Sequence, residues 1–159
     1  MDKRGQREIS RNYVVDASVV AKWVLPIETY QENAFKLKQD QVSGTVDLLA
    51  PTFLTLEVTN ALWKAVKLKR LSEEDAQDAL KMLGDTKITL YEMDWPQASE
   101  VLDIASELDI AIYDAAYVEL TEQLSAIGCT GDNNLVKKLG TDFQDKFYFI
   151  TDFQILVEE

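Results

Sequence analysis

Four acidic residues stand where an ordinary structural role explains them poorly: Asp16, Glu57, Asp114 and Asp132. Asp16 closes the apolar run Tyr13-Val14-Val15. Glu57 sits in Phe53-Leu54-Thr55-Leu56-Glu57-Val58-Thr59-Asn60-Ala61-Leu62, and Asp114 in Ala111-Ile112-Tyr113-Asp114-Ala115-Ala116-Tyr117-Val118. Asp132 follows Ala126-Ile127-Gly128-Cys129-Thr130. Each has a bland alternative. Asp16 could cap the next helix, and Glu57 could pair with Lys64. Asp114 could complement a helix dipole, and Asp132 could be a turn acid. Taken together they carry more information, because two fall at the carboxyl ends of expected strands and two in the opening turns of expected helices.

Grouped carboxylates point to a cation. Like charges about 4 Å apart repel by several kcal/mol at an intermediate dielectric, so some stay protonated unless a positive ion joins them. The chain has no histidine. That excludes a Ser-His-Asp or Cys-His triad and a His-ligated zinc site. All-oxygen ligand sets favour Mg²⁺ or Mn²⁺. Such an ion activates water near neutral pH and shields a phosphate, so hydrolysis of a phosphodiester is the chemistry this set of residues suits.

The elements that must position these acids alternate. Strands are expected at 12–16, 47–51, 88–91, 126–130 and 147–150. Helices are expected at 18–25 (stopping at Pro26), 28–41, 52–69, 72–83, from a cap at Asp94 through Leu108, 113–124 and 133–139. Leu54, Val58, Leu62, Ala65 and Val66 recur at helical spacing. Ser72 and Asp94 read as helix caps, and Pro96 is tolerated in a first turn. Alternating strands and helices predict an α/β fold with a central, mainly parallel sheet covered on both faces. The chemistry of such a sheet gathers outside the carboxyl ends of its strands.

The bulk numbers agree with one domain. There are 159 residues, 47% of them hydrophobic, enough for a sizeable core. Residues 1–11 read as a mobile N-terminal arm, 12–152 as the single domain, and 153–159 as an acidic tail. No apolar run approaches the roughly 18 residues of a membrane span. The N-terminus lacks a signal-peptide core, and a lone cysteine offers no disulfide framework. A cytoplasmic protein with no membrane association is the expectation. A net charge of −12 is unusual for a protein that binds nucleic acid through its overall field. Either the protein binds no nucleic acid, or it does so through a local basic patch and a metal, and a basic protein partner would also suit this surface.

Val14-Val15-Asp16-Ala17-Ser18, Leu56-Glu57-Val58-Thr59-Asn60-Ala61-Leu62, Tyr113-Asp114-Ala115-Ala116-Tyr117-Val118-Glu119-Leu120 and Thr130-Gly131-Asp132-Asn133-Asn134-Leu135 resemble, in order and spacing, the four conserved blocks of the PIN-domain ribonucleases. The VapC toxins of prokaryotic toxin–antitoxin pairs look most alike. The resemblance covers about Asn12 to Ile150. It implies a three-layer α/β/α sandwich and a Mg²⁺- or Mn²⁺-dependent endoribonuclease acting on single-stranded RNA. It also implies homodimers and inhibition by a small antitoxin protein. The carry-over places Asp16, Glu57, Asp114 and Asp132 as metal-binding, catalytic acids. Ser18 and Thr130 become the supporting hydroxyls, and Asn60 the polar residue one turn after the glutamate. Products with 5′-phosphate and 3′-hydroxyl ends are expected. One departure is visible: the last block usually reads Thr-Ala-Asp, and here Gly131 replaces the alanine, which puts the Asp132 contact in most doubt.

Cations near the acids are candidate RNA contacts. Lys64 and Lys67 continue the Glu57–Asn60 stripe at helical spacing, and Lys22 lies four residues after Ser18. Arg4, Arg7 and Arg11 on the arm are further candidates. Trp23 and Trp63 could stack on bases, with core packing the expectation for both. Rival functions fit less well. An aspartyl-phosphate phosphotransferase needs a second aspartate two residues on, where this chain has Ser18. A phosphoreceiver domain needs a lysine at a late strand end, where Thr130 stands. A non-catalytic PIN-like binding module for a basic protein partner accounts for the charge but leaves four intact acids unexplained.

Overall fold

The computed structural model describes residues 11–152. The expected acidic tail and all of the expected arm except Arg11 lie outside the described residues, Arg4 and Arg7 among them. Arg11 itself is tied to the sheet, where its carbonyl accepts from the Asp47 amide at 3.1 Å.

The central strand β1 (Asn12–Val15) follows from its composition. Tyr13, Val14 and Val15 are fully buried with no alternation between faces, as a parallel strand covered on both sides requires. β2 (Asp47–Pro51) and β4 (Ile127–Thr130) flank it, and β3 (Thr89–Tyr91) and β5 (Phe147–Phe149) form the edges. The order is β3-β2-β1-β4-β5 and every pairing is parallel. Tyr13 stands opposite Leu48 on one side and Ile127 on the other. Gly128 is paired with Phe147, whose ring lies where a side chain at 128 would go.

The helices cover both faces, giving the α/β/α sandwich. α1 (Ala17–Ala21) packs on α3 (Leu54–Lys67), which packs on α4 (Glu73–Gly84). α5 (Trp95–Leu108) packs on α6 (Ile112–Gln123), and α6 lies across β1, β2 and β4. α2 (Gln31–Val42) buries Ala34 and Leu37, and α7 (Asn133–Leu139) lies on β4 and β5. The caps act as their chemistry dictates. Ser72 Oγ accepts from the Asp75 amide at 3.0 Å, and Asp94 and Gln97 close a reciprocal capping box.

The structure corrects several expectations. The first helix ends at Ala21 instead of Leu25. Lys22, Trp23 and Val24 donate to carbonyls three residues back, at 3.1, 3.0 and 3.1 Å, the tightened bonding of a last turn ahead of Pro26. The second helix begins at Gln31 instead of Glu28, because Tyr30 adopts a left-handed φ of 56°. Trp23 is buried, its indole N–H donating to the Ala34 carbonyl at 2.8 Å. Trp63 is not in the core: it is 54% exposed, and the Lys67 ammonium sits 5.5 Å from its ring centre. A 3-10 turn at Thr141–Phe143, not anticipated, joins α7 to β5.

Candidate active site

The sheet order reverses at β1, since β2 and β3 lie on one side and β4 and β5 on the other. At such a switch point the loops leaving two adjacent strands diverge and open a crevice. Asp16 follows β1 there, and Thr130 ends β4 beside it.

Asp16 is 5% exposed, and hydroxyls and one amide hold it. Ser18 Oγ donates to Oδ1 at 2.5 Å, and Thr130 Oγ1 donates to Oδ2 at 2.5 Å. Oδ1 also accepts from the Val19 amide at 3.2 Å, so Asp16 caps α1 as well. The capping and site readings are therefore compatible. Burial pushes its carboxyl up to about 6, against the pull of those three hydrogen bonds, and neighbouring Asp114 pushes the same way. Ser18 and Thr130 bind the next loop too. Ser18 Oγ accepts from the Gly131 amide at 2.8 Å, and Thr130 Oγ1 accepts from the Asp132 amide at 3.0 Å.

Glu57 is brought in by α3. The ring of Phe53, just before that helix, meets Tyr113 and Tyr117 of α6 edge-on, with centroids 5.1 and 5.4 Å away. This contact sets α3 against α6 and puts Glu57 Oε1 where the Tyr117 hydroxyl donates to it at 2.7 Å. No ion pair joins Glu57 to Lys64 among the described residues. Burial raises the Glu57 carboxyl, the tyrosine bond opposes this, and Asp114 raises it further. Asp114, in the first turn of α6, is also raised by burial and then by Asp132, with Lys138 pulling it down. The four acids thus form one electrostatic group centred on Asp114. Asp132 is the outermost. It is exposed, and its Oδ1 caps α7 by accepting from the Asn134 and Leu135 amides at 2.9 and 3.2 Å.

The supporting residues divide. Ser18 and Thr130 touch Asp16 directly. Asn60, Lys64 and Lys67 are exposed on α3, and no described contact ties them to the acids. Lys22 is buried, its ammonium 3.8 Å from Glu28. Two residues escaped sequence reasoning. Tyr117 lies three residues after Asp114, on the same side of α6, and that spacing was the available signal. Lys138 gave none, because only the fold brings it to the Asp109 carbonyl, at 3.1 Å, and near Asp114.

All donors here are oxygens, and the carboxyls of Asp16, Glu57 and Asp114 are desolvated and raised further by neighbouring acids. That donor set fits a hard divalent cation. Among the described residues no three acidic or cysteine side chains already converge around one point. Oxygens of Glu57, Asp16 and Asp132 are engaged instead by Tyr117, by Ser18 and Thr130, and by the α7 amides, respectively. A groove of about 340 Å³ between α3, α4 and β3 contains none of the four acids. Its wall of Val20, Leu54, Val58, Leu83 and Leu90 is unsuited to a phosphodiester.

A five-stranded parallel sheet of this order, with carboxylates gathered where it reverses, defines a PIN-type α/β/α domain, and the family model described as PIN domain matches residues 13–142. The chain belongs to the PIN-domain family. It is 31% identical over 126 residues to Ribonuclease VapC3 of Pyrobaculum aerophilum, covering 79% of this chain and 92% of that one. It is 35% identical over 92 residues to Exonuclease VapC9 of the same organism, covering 57% of this chain and 66% of the relative. Among solved structures it is similar to PAE2754 of P. aerophilum, with a TM-score of 0.64 at 22% identity, covering 94% of this chain and 98% of that one.

Proposed function

We propose that the protein is a Mg²⁺- or Mn²⁺-dependent endoribonuclease for single-stranded RNA, the toxin of a toxin–antitoxin pair. The observation that carries this reading is the group of desolvated carboxylates at the switch point, in a chain 31% identical to a ribonuclease. Asp16, Glu57 and Asp114 would hold the ion, and Asp132 would hold it or orient the attacking water. A divalent ion bound there supplies Lewis-acid activation of water and neutralises charge on the phosphate.

The chain's own residues do the rest. Ser18 and Thr130 fix both oxygens of Asp16, so the carboxylate has one orientation without an ion to impose it. Tyr117 fixes one oxygen of Glu57 and leaves the other available. Lys64 and Lys67 on the exposed side of α3 would bind flanking phosphates, with Asn60 between them and Glu57. The acidic remainder of the surface suits a small, basic antitoxin. Exposed Leu56 and Trp63 on α3 suit a homodimer contact.

The test is cleavage of single-stranded RNA with Mg²⁺ or Mn²⁺, with and without EDTA, by wild type and Asp16→Asn. Cleavage that survives the chelator or the substitution would sink the metal mechanism. A circular RNA substrate separates internal from end-directed cutting, which matters because one relative is named an exonuclease. An endonuclease opens the circle.

A further inference from the structure

The unusual glycine of the last block has a physical neighbour. A Cβ built on Gly131 would lie 2.8 Å from Lys22 Cε and 3.1 Å from Ser18 Oγ. The left-handed backbone that often demands glycine is not found at 131. What glycine provides is room, and the stem of Lys22 takes it. The lysine therefore runs from α1 across the loop between Thr130 and Asp132, beside the hydroxyl that binds Asp16.

The side chain of Lys22 is 7% exposed, and its one described partner is Glu28 Oε2 at 3.8 Å. That is an ion pair too long for a hydrogen bond, and no acceptor lies within hydrogen-bonding reach of Nζ among the described residues. An ammonium has three donors, and Lys22 Nζ is not among the described polar atoms that are both buried and without a partner, so its donors are open to water or to a ligand. Glu28 is held in a short loop whose geometry is costly. Ile27 beside it is a β-branched residue at a φ of 49°, and Tyr30 sits at 56°. Gln31 Nε2 braces the loop on the Lys22 and Leu25 carbonyls at 2.8 and 2.9 Å.

Resting on the ribonuclease reading, we propose that Lys22 is a catalytic residue whose ammonium, kept beside Glu28 in the free protein, binds an oxygen of the RNA phosphate at the Asp16 site. Gly131 is the clearance that lets it reach there. The phosphate oxygens give the ammonium acceptors in place of water, and the lysine adds a second positive charge, after Lys138, beside the acids.

The experiment uses the full chain carrying Asp16→Asn, so that RNA is bound and not cut. Binding of a short single-stranded oligoribonucleotide is measured against salt concentration. A lost phosphate contact lowers the slope of log K against log salt by about 0.7. That drop is expected for Lys22→Met, which keeps the length and apolar stem, and not for Lys22→Arg or Glu28→Gln. In the cleaving protein, Lys22→Met should lose about ten- to a hundredfold in kcat/KM, with Lys22→Arg restoring part of it. An unchanged slope in Lys22→Met, with an equal fall in melting temperature for Lys22→Met and Glu28→Gln, would show a structural ion pair only and overturn the proposal. A wild type that cuts no RNA while the slope still falls refutes the nuclease reading and leaves the phosphate contact standing. A protein that binds no RNA refutes both.

Discussion

Replacing Asp16 by asparagine should make the metal-free protein more stable while abolishing its chemistry. The buried carboxyl titrates at about 6 instead of 3.8. A difference of about 2 units corresponds to roughly 3 kcal/mol. The sign follows from proton counting. Between pH 3.8 and about 6 the unfolded chain has released this proton and the folded chain retains it. Stability therefore falls as pH rises through that window and levels off above it. Asparagine removes the charge and with it the penalty. Its oxygen can still accept from Ser18 and the Val19 amide, but its NH₂ faces the Thr130 hydroxyl, which must reverse. Reversal costs about 1 kcal/mol and leaves a net gain of about 2 kcal/mol above pH 7. At roughly 2–4 °C per kcal/mol for a chain of this size, the melting temperature should rise by about 4–8 °C. Urea denaturation in EDTA at pH 8 and at pH 4 measures both ends. The advantage should be full at pH 8 and nearly gone at pH 4. Adding Mg²⁺ at a hundredfold over its Kd should raise wild type alone by about 2.7 kcal/mol and close the gap. If Asp16→Asn is no more stable at pH 8, or its advantage is the same at pH 4, the account of Asp16 as a desolvated, uncompensated charge is wrong.

Tyr117→Phe removes the hydrogen bond that holds down the Glu57 carboxyl, so the acidic limb of the pH–rate profile should move to higher pH. A limb that stays put or moves to lower pH would show that Glu57 does not control it. Gly128→Ala drives a methyl into the Phe147 ring. It should cost at least about 1–3 kcal/mol by urea denaturation, and Phe147→Leu should relieve part of that loss. Thr130→Val strips a donor from Asp16 and an acceptor from the Asp132 amide. Metal affinity by calorimetry should fall about ten- to a hundredfold, and an unchanged affinity would remove Thr130 from the site.

Much of the sheet was legible because parallel strands buried on both faces are written in continuous apolar runs, as in Tyr13-Val14-Val15. Helix ends were legible where a side chain makes the cap, at Ser72 and Asp94. They were not where the backbone itself turns. Nothing in Tyr30 announces a left-handed residue, and nothing in Trp63 distinguishes an exposed tryptophan from a buried one on an amphipathic helix. Strand order could not be read from the chain, because it depends on which apolar faces meet. The acids could be nominated from their positions at element ends. Their hydrogen bonds to Tyr117, Ser18 and Thr130 needed the fold. So did the reason for Gly131, since nothing local links a lysine at 22 to a glycine at 131.

The pairing of β1 with β4 has a consequence in time. Asp16 is synthesised well before its partner hydroxyl on Thr130, which lies 114 residues further along. β1 and β4 pair beside the carboxylate only once β4 has been made, and contacts of such long range form late. A nascent chain therefore carries Asp16 without the group that orients it. On the ribonuclease reading, the ribosome would have to make the chain through β4 before the site could attack RNA.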